Sequence, residues 1–324
     1  MRCGQAAALL LTVLALVSGR PALAGSLAVT FENDRAADTD RHYTHGSLLT
    51  WTSDKGAVPA KLRALGSKLP GLEMPPTRVS YLLGQTMFTP ENIRASRLIR
   101  ADRPYAGWLY GGLRLTSEQP GTRQRLELNL GVVGPPSMAD WTQTVVHDAI
   151  AVQRPNGWEH QLDTEPGAVL IYERSWRPIR DIGDTGLETA LIPQVSGAVG
   201  NVLTLAMGGA RLAVGQNLDA SWGPPRIYPA FRGSGYASAR RELHWSLFAG
   251  LSGRAVARNI FLDGNTFSKS HSVSKNPFVA TAKAGLELAY GPLRAAFTYV
   301  ARTREFEGQP EPDEFASMTL SVRF

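Results

Sequence analysis

Between Phe31 and Gly46 the chain reads FENDRAADTDRHYTHG, which gathers Glu32, Asn33, Asp34, Asp38, Asp40, His42, Thr44 and His45 into one short stretch. The Asp34 carboxylate, the Asn33 carbonyl and neighbouring backbone carbonyls are hard oxygen donors, suited to Ca2+ rather than zinc. His42 and His45 have no cysteine and no zinc-like ligand spacing around them. The Thr44 hydroxyl could orient a ligand or water, or simply bond backbone. Some hundred residues on stands His147, whose neutral imidazole could take a proton from water or a hydroxyl. The same residues would also serve as a polar turn and a loop histidine satisfying its neighbours. The chain has no Gly-x-Ser-x-Gly and no serine in a nucleophile-elbow context, so serine acyl transfer is not signalled.

The elements that must position these groups have a period of two. In RLELNLGVV, Leu126, Leu128, Leu130 and Val132 alternate with Arg125, Glu127, Asn129 and Gly131. ELHWSLFAGL, LRAAFTYVAR and the terminal ASMTLSVRF repeat the pattern, the last ending on Phe324. Aliphatic and aromatic side chains on one face, with charges and glycines on the other, fit strands with lipid outside and a polar interior. A closing amphipathic strand with a terminal aromatic is similar to the endings of Gram-negative outer-membrane barrels. The expected fold is therefore all-β, a transmembrane antiparallel β-barrel. No stretch after residue 24 is apolar for the ~20 residues that a membrane helix needs.

Candidate strands cover roughly 26–34, 43–53, 77–88, 104–116, 122–133, 166–177, 186–199, 201–216, 239–250, 252–262, 277–290, 292–304 and 314–324. Single-chain bacterial barrels have even strand numbers, so about 12 are expected, with the surplus at 186–216 or 239–262. Residues 137–160 break the alternation. Trp141, Val145 and Ala149 at steps of four predict a short amphipathic helix in that loop, stopped by Pro155 and Gly157.

Residues 1–24 read as a secretory signal, with Arg2, an apolar run from Ala7 to Val17 and a closing Ala22-Leu23-Ala24. Residues 25–324 then form one barrel domain. Cys3 would leave with the signal, and the mature chain would have no cysteine, as suits an oxidising compartment. The formal charge of +6 falls to +4 without Arg2 and Arg20. With no long Lys/Arg cluster, an anionic membrane surface is a better partner for that charge than nucleic acid.

With a periplasmic N-terminus, the first strand runs outward and directions alternate. The connections 35–42, 89–103 and 134–165 then share the exterior end, which brings His147 to the end that holds Asn33, Asp34 and Thr44. In an ideal strand Asn33 and Asp34 point to opposite faces, so a strand end or bulge is needed for both to serve one site.

ENDRAADTDRHYTHG (32–46), DRPYAGWLY (102–110), GVVGPPSMADWTQTVVH (131–147) and the later GW and QL (157–158 and 161–162) appear in this order. The arrangement resembles the outer-membrane lipid A 3'-O-deacylases across essentially the whole mature chain. The resemblance implies a twelve-stranded barrel in the Gram-negative outer membrane, with an active site between the barrel wall and a loop helix, facing the cell exterior. It implies a carboxylic ester hydrolase that removes the 3'-linked acyloxyacyl group from the lipid A of lipopolysaccharide, with Ca2+ as cofactor. The family's Asn-Asp pair falls on Asn33 and Asp34, its threonine on Thr44 and its catalytic histidine on His147. Asp34 and Asn33 would hold the metal.

A family acidic residue six positions beyond the histidine falls on neutral Gln153; either that carboxylate is dispensable, or Glu159 or Asp148 compensates, or activity is weak or altered. Arg35, Arg41, Arg97, Arg100 and Arg103 could meet the glucosamine phosphates or be ordinary solvated arginines. The remaining partner is outer-membrane lipid; no nucleic acid is expected, and the chain should act as a monomer. Two alternatives are kept: an outer-membrane phospholipase, which needs an activated serine near a histidine, and a non-enzymatic barrel or channel.

Overall fold

The computed structural model describes residues 24–34, 42–234 and 242–324; residues 1–23, which hold nearly all of the expected signal, and the segment holding Arg35, Asp38, Asp40 and Arg41 lie outside them. Thirteen strands form one antiparallel sheet. They are β1 (Gly25–Asn33), β2 (His42–Ser53), β3 (Arg78–Thr89), β4 (Ala106–Gln119), β5 (Thr122–Val133), β6 (Glu165–Trp176), β7 (Ile179–Asp181), β8 (Glu188–Gly200), β9 (Leu203–Gln216), β10 (His244–Asn259), β11 (Phe278–Tyr290), β12 (Leu293–Arg302) and β13 (Asp313–Arg323). β1 pairs with β13 and β6 with β8, so twelve strands close the ring, and the three-residue β7 pairs only with the start of β8. Phe324 and Gly25 exchange backbone hydrogen bonds at the seam. Closure leaves no unpaired edge, which a wall in hydrocarbon requires.

The candidates at 239–250 and 252–262 are one strand. β10 stays in register with β9 through Gly250↔Arg211, Ser252↔Gly209 and Gly253↔Gly208. Small residues there suggest a turn, but the ladder runs straight through them. The alternation in β5 places Leu128 and Leu130 on the exposed outer wall and buries Arg125, Glu127 and Asn129 within.

The end where β1 finishes is termed the upper rim. It carries the connections 90–105, 134–164 and 303–312, together with helix α3 (Ile260–Asp263); the lower end carries helix α1 (Ala60–Gly66). The expected loop helix is α2 (Ala139–Ala149).

The lower connection between β9 and β10 turns up into the barrel. Its residues Trp222, Ile227, Tyr228 and Phe231 are buried, three of them in one apolar cluster with Tyr43, Phe88, Trp108 and Phe261. Charge ties the segment to the wall all round. Arg226 pairs with Glu32 of β1, and Arg232 Nη1 lies 2.8 Å from Glu127 Oε1 of β5. The Arg232 N–H donates to Glu173 Oε2 of β6 at 2.9 Å, and Arg294 of β12 donates to the Gly223 carbonyl at 2.7 Å. The interior is thus packed with apolar as well as charged groups.

Candidate active site on the outer wall

Side chains on β3 alternate, and its outward row is Tyr81, Leu83, Gln85, Met87 and Thr89. Tyr81 and Leu83 are exposed, whereas Met87 and Thr89 near the rim are covered. The cover is the 134–164 connection. Gln85 Nε2 donates to the Ser137 carbonyl at 2.7 Å, and Met87 packs with Tyr105, Ala139 and Trp158. α2 therefore lies on the outside of the barrel, against β3 and β4.

Gly107 of β4 makes that approach possible. A Cβ there would sit 2.1 Å from Ser137 Oγ and 2.4 Å from Ala139 Cβ. Gly107→Val should lift the helix from the wall while the barrel still closes. The checks are unchanged strand content by circular dichroism and new proteolytic cutting in residues 134–164.

α2 begins after a 3-10 turn at Pro135–Ser137 and places Asp140 in its first turn, where a carboxylate complements the helix dipole. It stops at Ala149, before Pro155 and Gly157, because Ala151 takes φ +56° and the Val152 N–H caps the His147 carbonyl at 2.9 Å. Its buried side chains are Ala139, Gln143 and His147, one row at steps of four facing the wall. Trp158 Nε1–H donates to Gln143 Oε1 at 2.7 Å. The Trp141, Val145 and Ala149 stripe faces outward instead.

His147 Nδ1 lies 2.5 Å from the Gln153 carbonyl oxygen. A carbonyl only accepts, so Nδ1 carries the proton, and Nε2 is the basic nitrogen of the neutral ring. The residue at the family's acidic position thus reaches the histidine through its backbone. The proposed substitutes are engaged elsewhere. Asp148 is held at both oxygens by Arg154 at 2.6 and 2.7 Å, and Glu159 lies 3.4 Å from His160. Arg154 holds the Asp148 carboxyl below its ordinary range.

Asn33 and Thr44 meet at the rim ends of β1 and β2. Asn33 is the last residue of β1, on the outward row of Leu27, Val29 and Phe31, and its Nδ2 donates to the Thr44 carbonyl at 3.0 Å. β2 shifts register between His42 and His45, and His42 has φ +63°. Tyr43 points inward to Glu32 Oε2, while Thr44 pairs its hydroxyl with that of Thr89 at 2.7 Å. Asp34 follows the strand end and is buried. Of the two alternatives anticipated for Asn33 and Asp34, the strand end is present, since β1 stops at Asn33; the register shift lies on β2 instead. Asn33 and Thr44 are in contact, and Thr44 touches Thr89 of β3, one of the two strands against which α2 packs.

Sequence reasoning missed a second pair on this wall. His45 Nε2 and Ser47 Oγ are 2.6 Å apart, and Phe31 lies opposite Ser47 across the strands. The pair supplies the serine beside a histidine that the phospholipase alternative needs. Residues two apart on a strand share a face, and that spacing was the available signal. Arg103 is corrected as a phosphate ligand. It is buried inside the barrel, 3.2 Å from Glu305 and over the Phe88 ring, whereas Arg97 and Arg100 are exposed.

Asp34, the Asn33 amide oxygen and the strand-end carbonyls have the chemistry of a hard-cation site. Among the described residues no three Asp, Glu, His or Cys side chains cluster to hold a metal, so carbonyl and amide oxygens would supply the other ligands.

A closed twelve-stranded wall around a filled interior defines an outer-membrane barrel, and the candidate site lies on its outer face rather than in a pore. Residues 6–324 match the family model of outer membrane protein LpxR, and the chain belongs to that family, the lipid A 3'-O-deacylases its motifs resemble. LpxR from Salmonella typhimurium is similar in structure, with a TM-score of 0.75 and 24% identity over 92% of this chain and 100% of that one. The beta domain of the Bordetella autotransporter BrkA gives 0.44 and 12% identity over 93% and 98%. No curated protein matches.

Proposed function

We propose that the outer-wall site hydrolyses the 3'-linked acyloxyacyl ester of lipid A in lipopolysaccharide at the outer leaflet of a Gram-negative outer membrane, with the upper rim facing the cell exterior. The observation that carries this reading is the lock of His147 Nδ1–H onto the Gln153 carbonyl, on a helix face turned to the barrel wall. An ester of a membrane lipid reaches such a site sideways from the bilayer without entering the lumen.

His147 Nε2 takes a proton from water, and the oxygen so activated attacks the ester carbonyl. The imidazolium then returns the proton to the departing sugar oxygen. Asn33 and Thr44 fix the strand end against which the ester lies, and Asp34 with the Asn33 oxygens would hold Ca2+. When bound, the cation supplies a positive charge that polarises the carbonyl and offsets the oxyanion. Chelation with EGTA should abolish fatty-acyl release from lipopolysaccharide and added Ca2+ should restore it; release unaffected by EGTA contradicts the metal role.

Because residue 153 holds the histidine through its backbone carbonyl, Gln153→Ala should retain most of the activity, measured as initial rate on the same substrate. A collapse as deep as that of the His147 variant would mean that the side chain acts.

The Ser47–His45 pair favours one second reading, a serine esterase acting on phospholipid at the same wall. Labelling of Ser47 by a fluorophosphonate, together with loss of hydrolysis in Ser47→Ala, would support it. An unlabelled and active Ser47→Ala protein leaves the His147 route.

A further inference from the structure

Three of the rows at steps of four on helix α2 differ in character, beside a fourth of Thr142 and Val146. Ala139, Gln143 and His147 face the wall, Asp140, Thr144 and Asp148 form a polar flank, and Trp141, Val145 and Ala149 form an apolar flank. The rows lie about a third of a turn apart. Trp141 is 59% and Val145 44% exposed, and Met138 and Val146 extend the apolar flank.

A helix stripe of this composition ordinarily packs inward, yet here the inward row is the polar one of Gln143 and His147. The site already takes the wall-facing row, so the apolar flank is left for another medium.

The barrel wall specifies that medium. Leu83 of β3 and Leu130 of β5 lie in one cross-strand row through Gly111 of β4, and both are 55% exposed. These are side chains of the lipid-facing belt. Gln85, two residues above Leu83 on the same face, holds Ser137 at the start of the helix segment. Two strand residues rise about 7 Å, so the helix starts one side-chain row above exposed leucine. The apolar flank therefore continues the lipid-facing surface.

We infer that α2 is an interfacial membrane helix, its Trp141–Val145–Ala149 flank seated among the acyl chains of the surrounding leaflet and its Asp140–Thr144–Asp148 flank in the aqueous headgroup layer. Trp141 suits this boundary, with a large apolar ring and one N–H. The lipid would hold the helix level against the wall, keeping the His147 row directed at the strand ends. The inference concerns the helix and the bilayer and stands apart from which ester is cleaved.

The test uses the full chain in a Cys3→Ser background, reconstituted in vesicles of phosphatidylethanolamine and phosphatidylglycerol. Single cysteines replace Val145, Thr144, Leu83 as the wall standard and Arg97 as the exposed-loop standard, each labelled with bimane. The Val145 label should be quenched by brominated acyl chains as the Leu83 label is, and protected from aqueous iodide. The Thr144 label should be quenched by iodide as the Arg97 label is. Equal iodide quenching of Val145 and Thr144, with no response of Val145 to brominated chains, overturns the assignment. All four positions are at least partly exposed, and strand content of each labelled protein is checked first.

Discussion

Replacing His147 with alanine should leave the barrel folded and slow ester hydrolysis by roughly 10²- to 10⁴-fold, the usual worth of a positioned general base. The fold should survive because the twelve-strand ring closes through its own ladders, and His147 belongs to a helix resting on the outside of that ring. What disappears is the basic Nε2 that the Gln153 carbonyl defines by accepting the Nδ1–H hydrogen bond. Initial rates of acyl release from lipopolysaccharide, with circular dichroism on the same samples, make the check. A rate equal to that of the parent protein would remove His147 from the chemistry.

Glu173→Ala should destabilise the barrel by about 3–5 kcal/mol, the cost of stripping a buried ion cluster of one partner. Glu173 Oε1 receives Arg123 at 3.4 Å and Arg125 at 3.3 Å, and its Oε2 accepts the Arg232 N–H at 2.9 Å. Without the carboxylate, the Arg123 and Arg125 guanidinium groups lose its counter-charge inside the wall. The segment 222–234 loses one of its ties at the same time. Glu173→Gln should lose less, since its amide oxygen still accepts from Arg232. Urea unfolding in detergent measures the difference, and a change below about 0.5 kcal/mol would contradict the account. The same packing predicts that the intact protein is non-conducting in planar bilayers, whereas deletion of 222–234 opens a pore. A steady conductance from the intact protein would revive the channel reading.

The strands were legible because a period of two survives wherever one face meets lipid. Leu126 to Val132 in β5 and Ala316 to Phe324 at the end of the chain show it plainly. The pattern failed at Gly250 to Gly253, where small residues have no face to declare, and β10 was split there. It was silent about residues 222–234, whose prolines and glycines read as a loop although Trp222 and Phe231 are interior groups.

Of the site, the residue types and their common end could be read from the chain. The face of the wall that Thr44 takes could not, because a register shift at His42 turns it outward to Thr89. The direction of α2 was equally hidden. Periodicity marks the row Trp141, Val145 and Ala149 as apolar without saying whether core or lipid covers it. Gln153 shows a different limit, since a change of side chain says nothing about a role performed by a backbone carbonyl.

The central claim is that this outer-wall site removes the 3'-linked acyloxyacyl group of lipid A, and mass spectrometry of lipid A tests it most directly. Lipopolysaccharide is incubated with the purified barrel and Ca2+, and lipid A is then released and fragmented. The account predicts a mass loss equal to the whole 3'-linked acyloxyacyl group, with fragments placing the free hydroxyl at the 3' position. An unchanged mass at several Ca2+ concentrations, or a loss from any other position, would contradict it.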